Sequence, residues 1–359
     1  MLEVSLRGVS LDRALHDITL TFPASTHTAI VGPPASGAST LLEIIAGRRR
    51  PSSGEIRIGA RVVNDLKASR RPLLAVGSRP DVPGRWSVQH ALVAAARQRT
   101  LDRIDRQHEY ELAVDKWRLR DRLERRVDSL SDSERTLLHL ARIELLRPAI
   151  LLADRLFEKL NTAALEEIAD TFYRTLRVAG TTIISAPASR IELGSTDHIV
   201  VLDGGRVVQE GTAAQVYARP VHEAAAVATG DVNLVPVTIR GSSVDSVIGS
   251  WDVPGAPFQG SGVAFVRPEA FSIVEPGEES DLIAGVEEAA FQNGRWLVRS
   301  ILSGGFILRI SLPPDVVLHK GKLLALAYDP AAFSLTPRDI EMPRRSVPTD
   351  VVPPLAESR

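Results

Sequence analysis

Residues 31–40 read VGPPASGAST, and the fold follows from them. Gly32, Gly37, Ser39 and Thr40 fit the spacing G-x-x-x-x-G-K-[ST]-[ST] of a phosphate-binding loop, with Ala38 where the lysine belongs. The glycines shape such a loop, whereas the lysine carries positive charge to the β- and γ-phosphates. The flanks support the match. His27 to Val31 (HTAIV) reads as a short buried strand, and Thr40 to Ala46 (TLLEIIA) as a helix that Gly47 ends. Strand, loop and helix in that order is the setting the motif requires. Pro33 and Pro34 lie inside the loop and have no amide to offer a phosphate.

Outward from this loop, apolar runs alternate with helical stretches. Leu2 to Leu6 alternates as a half-buried strand does, and Leu73 to Val76 is a short buried strand. Val88 to Arg126 reads as mostly helical and arginine-rich, a solvated lobe. Ser133 to Leu146 is a helix. Ala149 to Ala153 is a strand ending at Asp154. Leu165 to Val178 is an amphipathic helix, and Thr181 to Ser185 the next strand. His198 to Leu202, the Asp203-Gly204-Gly205 turn and the segment through Gln209 and Glu210 form a hairpin. This order predicts an α/β domain over residues 1–230 with a helical subdomain near 88–146. Short strands at Asn233–Arg240, Gly262–Val266, Trp296–Arg299, Phe306–Ile310 and Leu323–Ala327 predict an all-β domain of small-barrel type over 231–340. Residues 341–359, rich in proline and charge, are expected to be a loose tail.

Composition narrows the chemistry. The 359 residues suit two domains, and 44% hydrophobic content supports ordinary cores. There is no cysteine, which excludes thiol catalysis, disulfides and cysteine-ligated metals. A net charge of -1 gives no electrostatic case for nucleic acid. The sequence holds no apolar run of spanning length and no signal pattern, so a soluble chain is expected. Its eight histidines show no metal-binding spacing, and its four tryptophans read as core or interface anchors.

With these motifs in view, the sequence resembles the ATPase subunit of an ABC transporter, in the sugar-importer branch typified by the maltose-importer ATPase. Val201 to Gly211 (VLDGGRVVQEG) matches the end of that ATPase domain. Asn233 matches the start of the second domain, and Arg267-Pro268-Glu269 matches its recurring R-P-E segment. The resemblance implies an ABC-type phosphate-loop ATPase domain followed by an oligonucleotide-fold-like (TOBE) domain. It implies permease subunits docked through a groove around residues 75–95, a second ATPase-domain subunit in a homo- or heterodimer, and indirectly a solute-binding protein. It implies a peripheral location on the cytoplasmic face of the plasma membrane, with a carbohydrate or similar polar solute as cargo.

The family's functional positions are altered one after another. Ser39 and Asp154 remain for Mg²⁺ and Thr40 remains in the loop, but Ala38 replaces the lysine. No aromatic lies at Leu11 to Ala14, where one should stack on adenine. Ser78 replaces the γ-phosphate-sensing glutamine. The signature L-S-G-G-Q reads Leu130-Ser131-Asp132-Ser133-Glu134, which would carry two negative charges toward the partner's γ-phosphate. Arg155 replaces the catalytic glutamate, and a salt bridge to Asp154 is its expected use. Asn161 replaces the D-loop aspartate, and Pro187 stands where the switch histidine belongs. The resemblance therefore implies a subunit with no hydrolysis at its own site, weak affinity for ATP and Mg²⁺, and a structural or coupling role. A regulatory scaffold outside transport and a noncanonical ATPase are the rival readings.

Overall fold

In the computed structural model, apolar runs flanked by turn residues become strands. The structure describes residues 1–160, 162–274 and 280–338. Asn161, most of the acidic stretch from Glu275 to Asp281 and the tail from residue 341 lie outside that range. The chain opens with β1 (Val4–Leu11), β2 (Leu15–Phe22) and β3 (His27–Val31), followed by α1 (Ala38–Ala46). Next come β4 (Ser53–Ile58), β5 (Arg61–Val62) and β6 (Leu74–Val76). The helical lobe holds α2 (Val88–Ala96), α3 (Arg103–Lys116) and α4 (Asp132–Leu146). Then follow β7 (Ile150–Asp154), α5 (Thr162–Val178), β8 (Thr182–Ala186), β9 (His198–Asp203), β10 (Arg206–Gly211), α6 (Ala213–Ala218) and α7 (Glu223–Thr229).

Two sheets pack in this first part. One has the order β2-β1-β4-β5, and the central one β10-β9-β3-β8-β7-β6. In the central sheet β3, β6, β7, β8 and β9 pair in parallel, while β10 returns antiparallel from β9. A strand covered on both faces has no solvent side, which is why burial does not alternate along HTAIV and TIISA, and their polar residues His27 and Ser185 bond each other. Leu41, Ile44 and Ile45 of α1 pack with Val4, Leu6 and Ile18 of the first sheet and with Ile150 and Leu152 of β7. The expected first strand is longer than the sequence suggested, and its partner β2 was missed. Register shifts along β1 break its alternation beyond Leu6.

The second part holds β11 (Asn233–Arg240), β12 (Ser243–Ser246), β13 (Gly249–Asp252), β14 (Gly260–Val266), β15 (Phe271–Ile273) and β16 (Leu282–Gln292). It closes with β17 (Arg295–Leu302), β18 (Ile307–Leu312), β19 (Leu323–Tyr328) and β20 (Ser334–Pro337). The all-β part expected from the sequence is built of two five-stranded sheets, β13-β12-β11-β14-β20 and β15-β19-β16-β17-β18. They share one core, with Val235, Val244, Ala264, Leu308 and Leu326 at its centre.

Arg267 ties the two parts together. It is only 8% exposed. Its guanidinium donates to the carbonyls of Tyr217, Ala226 and Asp231 and to Thr229 Oγ1, at 2.8–3.2 Å. It also lies 4.1 Å from the centroid of the Tyr217 ring, whose hydroxyl bonds Glu269. A buried guanidinium is tolerated when its donors are satisfied in this way. Arg267→Ala leaves those carbonyls without their donor and is expected to cost about 3 kcal/mol. Arg267→Lys should not recover it, because an ammonium lacks the planar fork. Denaturant unfolding of the three proteins measures this, and an Ala variant as stable as the parent would contradict it.

Candidate functional site

Three loops leave the same end of the central sheet and enclose a cleft of about 710 Å³. The loop after β3 spans Gly32 to Gly37. A side chain at position 32 would bring Cβ within 2.0 Å of the Leu202 carbonyl oxygen, so only glycine fits. Gly37 caps α1 in the left-handed region at φ 106°, again a glycine conformation. The first turn of α1 leaves the amides of Ala38, Ser39 and Thr40 without intrahelical acceptors. The Ser36 amide is already used by Pro33 O at 3.0 Å, and residues 33 and 34 have no amide hydrogen. The nest for an anion is therefore smaller than the motif alone predicts.

The loop after β7 supplies Asp154 and Arg155. Ser39 Oγ donates to Asp154 Oδ1 at 3.0 Å, so the two oxygen groups expected around Mg²⁺ do meet. The expected Arg155–Asp154 ion pair is absent. Arg155 takes a left-handed backbone, φ 52°, with its amide on Ala186 O, and its guanidinium reaches Glu158 Oε1 at 2.7 Å. The turn points its side chain along the chain rather than back to Asp154. The loop after β8 brings Pro187 into the cleft wall. Ser78 is half-buried and is not among the cleft's lining residues.

The signature stretch lies away from this cleft, at the start of α4. Leu130 is buried, Ser131 is the N-cap, and Glu134 closes a capping box with it. Glu134 Oε2 accepts from the Ser131 amide at 2.9 Å, while Oε1 accepts from Arg122 at 2.6 Å and Arg125 at 3.1 Å. The Ser131 amide, then Arg122, hold its carboxyl down at about 2. Of the two charges expected to face outward, Glu134 is thus turned inward and neutralised, and only Asp132 stays exposed. Ser133 Oγ reaches Lys159 O at 3.5 Å.

Sequence reasoning missed Arg13, Ser189 and Arg190, which also line the cleft. Arg13 sits in the turn between β1 and β2. That turn reaches the cleft because His16 N bonds Gly205 O at 2.8 Å and Gly205 N bonds Ser36 O at 3.0 Å. Arg190 forks onto Asp231 at 3.0 Å. The segment Leu11 to Ala14 was already marked by its missing aromatic, and its arginine was the available signal. Glu192, buried, accepts from the Ala188 and Ser189 amides at 3.0 and 3.3 Å and so fixes the loop beside Pro187.

The comparisons bear on this geometry. Residues 15–157 match the family described as ABC transporter. The sn-glycerol-3-phosphate import ATP-binding protein UgpC of Cupriavidus metallidurans is 31% identical over 254 residues, 67% of this chain and 68% of that protein. The Fe(3+) ions import ATP-binding protein FbpC of Escherichia coli O157:H7 is 26% identical over 88% of this chain and 93% of its own. The solved structure of cbiO1 from Clostridium perfringens, part of an ABC transporter complex, overlaps 60% of this chain and 90% of its own. At 21% identity and a TM-score of 0.53, that overlap speaks for the fold. The α/β phosphate-loop ATPase core followed by C-terminal all-β sheets agrees with the architecture expected from the sequence.

Two buried imidazoles outside the cleft give the folded chain a pH dependence. His27 begins β3, with Nε2 2.8 Å from Ser185 Oγ and Nδ1 3.1 Å from Ser195 O. His139 on α4 is buried, and the backbone of Gly77 beside its ring only partly offsets that burial. Burial lowers both from 6.5 to about 4. Folded, they stay neutral, and unfolding lets them protonate. The stability they contribute is complete above about pH 6.5 and is lost as the pH falls toward 4, on the order of 3 kcal/mol for each. Urea unfolding at pH 7 and pH 4.5 tests this. His139→Met should flatten the acid slope, and an unchanged slope would reject the assignment.

Proposed function

Since this chain belongs to the ABC transporter family as an importer-type ATP-binding subunit, we propose that its own nucleotide site no longer hydrolyses ATP and that its work is structural coupling. The observation that carries this is Arg155. Where water must be activated, the side chain is a guanidinium paired with Glu158, and a guanidinium stays protonated at neutral pH. Ala38 offers no charge to the γ-phosphate, and Pro187 no imidazole. Removing one preorganised donor in such sites costs about 3 kcal/mol of transition-state stabilisation. Three such losses in one cleft leave no route for turnover.

Binding is a separate matter. Ser39 and Asp154 fit a divalent cation, and the amides opening α1 fit a phosphate. Without the lysine and with two prolines in the loop, binding is weak. In this reading residues 1–230 form the ATPase-like domain and 231–340 the TOBE-type regulatory domain. The chain docks on permease subunits at the cytoplasmic face of the membrane and pairs with a second ATPase-type subunit. Among the described residues no helix is long and apolar enough to cross a membrane, which suits a peripheral subunit. The cargo class is a carbohydrate or related polar solute. The relatives' names, for sn-glycerol-3-phosphate and Fe(3+) ions, keep it among polar solutes.

Calorimetry with Mg-ATP, on the full chain alone and with co-purifying membrane partners, is the test. Weak binding and no turnover are expected. Ala38→Lys should tighten binding on the order of tenfold by restoring a charge-assisted contact. Arg155→Glu alone should restore no turnover. Hydrolysis by the parent that disappears in Asp154→Asn or Ser39→Ala would overturn the proposal and make the chain a working, noncanonical ATPase.

A further inference from the structure

Behind the cleft wall lies a chain of polar side chains that nucleotide chemistry does not use. Glu192 is 1% exposed, and Tyr173, Ser185 and His27 are as deeply buried. Glu192 Oε1 accepts from the Ala188 and Ser189 amides, and Oε2 lies 3.3 Å from the Tyr173 hydroxyl. That hydroxyl also faces Ser185. Ser185 Oγ is 2.8 Å from His27 Nε2, and His27 Nδ1 is 3.1 Å from the Ser195 carbonyl. The Tyr173 and His27 rings pack with centroids 4.0 Å apart. The chain thus holds both ends of the segment from Ala188 to Ser195, of which Ala188, Ser189, Arg190 and Leu193 line the cleft.

The chain is one hydrogen short when Glu192 is ionised. A carbonyl only accepts, so His27 Nδ1 carries the imidazole hydrogen and Nε2 is an acceptor. The Ser185 hydroxyl therefore donates to Nε2, and its oxygen is left to accept. The Tyr173 hydroxyl has one hydrogen for two neighbours, Ser185 and Glu192. With Glu192 ionised, that hydrogen goes to the carboxylate, and the Tyr173 and Ser185 oxygens face each other with none between them. With Glu192 protonated, Oε2 donates to Tyr173, Tyr173 to Ser185, Ser185 to His27 and His27 to the Ser195 carbonyl. Every link then has its hydrogen, and Oε1 still accepts the two amides. A buried polar network holds firmly only when each member is satisfied.

Electrostatics points the same way. Glu134, at the equivalent capping-box position on α4, is ionised between Arg122 and Arg125. Glu192 closes a capping box with Ser189 but pairs with no cation among the described residues. Facing it are Tyr173 from α5 and, beyond Ser185, His27 from β3, which burial keeps neutral. Arg190 is turned to Asp231, and Arg177 to Asp197, whose other oxygen accepts the His27 amide. Burial lifts the Glu192 carboxyl above its ordinary value. Independently of whether the cleft turns over ATP, we propose that Glu192 is a proton latch. Protonated, it completes the chain and holds the cleft wall. Ionised, it breaks the chain and the wall loosens.

Hydrogen exchange of the Ala188 and Ser189 amides in the full chain, at pH 5.5 and pH 8, tests this. Exchange is expressed as protection relative to the unstructured rate at each pH. Protection about tenfold greater at pH 5.5 is expected in the parent. Glu192→Gln keeps the amide acceptor and replaces the acid O–H by an N–H donor, so its protection should be high at both pH values. Tyr173→Phe removes the middle link and should shrink the step. Folding stability carries the matching sign. A carboxyl raised by burial stabilises fully below its ordinary value and loses that contribution as pH rises through the folded value. In urea unfolding, the stability of Glu192→Gln relative to the parent should therefore grow from pH 5.5 to pH 8. The histidine contributions are common to both proteins and cancel in that difference. An ordinary ionised capping carboxylate predicts the reverse, with weaker protection in acid and a segment loosened by Gln at every pH. Either of those results, or protection independent of pH in the parent, overturns the proposal. Both changes are nearly isosteric, and thermal unfolding checks that each variant folds. Measured ATP turnover by the parent sinks only the functional reading.

Discussion

The parallel pairing of β3 with β8, and of β8 with β7, is the constraint on which the site depends. Parallel neighbours release their following loops at the same sheet end. Ala29 stands opposite Ser185, and Asp154 opposite Ala186. The loops that carry Ser39, Asp154, Arg155 and Pro187 therefore converge without contact between their side chains being needed. The Ser39–Asp154 hydrogen bond, between residues 115 positions apart, is a consequence of that register. The turn holding Arg13 joins them through Gly205, which bonds both His16 and Ser36.

Backbone and side-chain requirements have separated in this protein. Gly32 is fixed by the approach of the Leu202 carbonyl, and Gly37 by its left-handed cap. Both demands arise from packing and hold whether or not a phosphate ever binds. Arg155 and Pro187 instead line the cleft, whereas Ala38 lines it and also packs against the core around α1. The same logic governs α4. Its capping box needs Ser131 and Glu134, so a residue that looks like a stray charge in a signature loop is a local structural element.

Three buried polar side chains are satisfied largely by backbone groups. Arg267 spends its donors on carbonyls near α6 and α7, and Glu192 accepts amides beside Pro187. Arg71, buried, donates to Ile44 and Ile45 carbonyls and so caps the far end of α1. These contacts hold the phosphate-loop helix, the cleft wall and the β-sheet part in fixed relation, because a buried polar group without its partner is costly.

Much of this was legible in the chain alone. Periodicity and punctuation located the central strands, α1, α4 and α5, because those signals act over a few residues. Motif spacing singled out Gly32, Gly37, Ala38, Asp154, Arg155 and Pro187, and all six line the cleft. What the sequence could not decide was direction and partnership. Whether Arg155 faces Asp154 or Glu158 turns on one left-handed φ. Whether Glu134 points outward turns on a cap and on Arg122 and Arg125. Arg13 and Arg190 reach the cleft only because distant turns are bonded across the sheet end. The sequence by itself determined which side chains the cleft has to work with. Tertiary structure decided which of them meet, since that depends on strand register and loop direction between residues far apart in the chain.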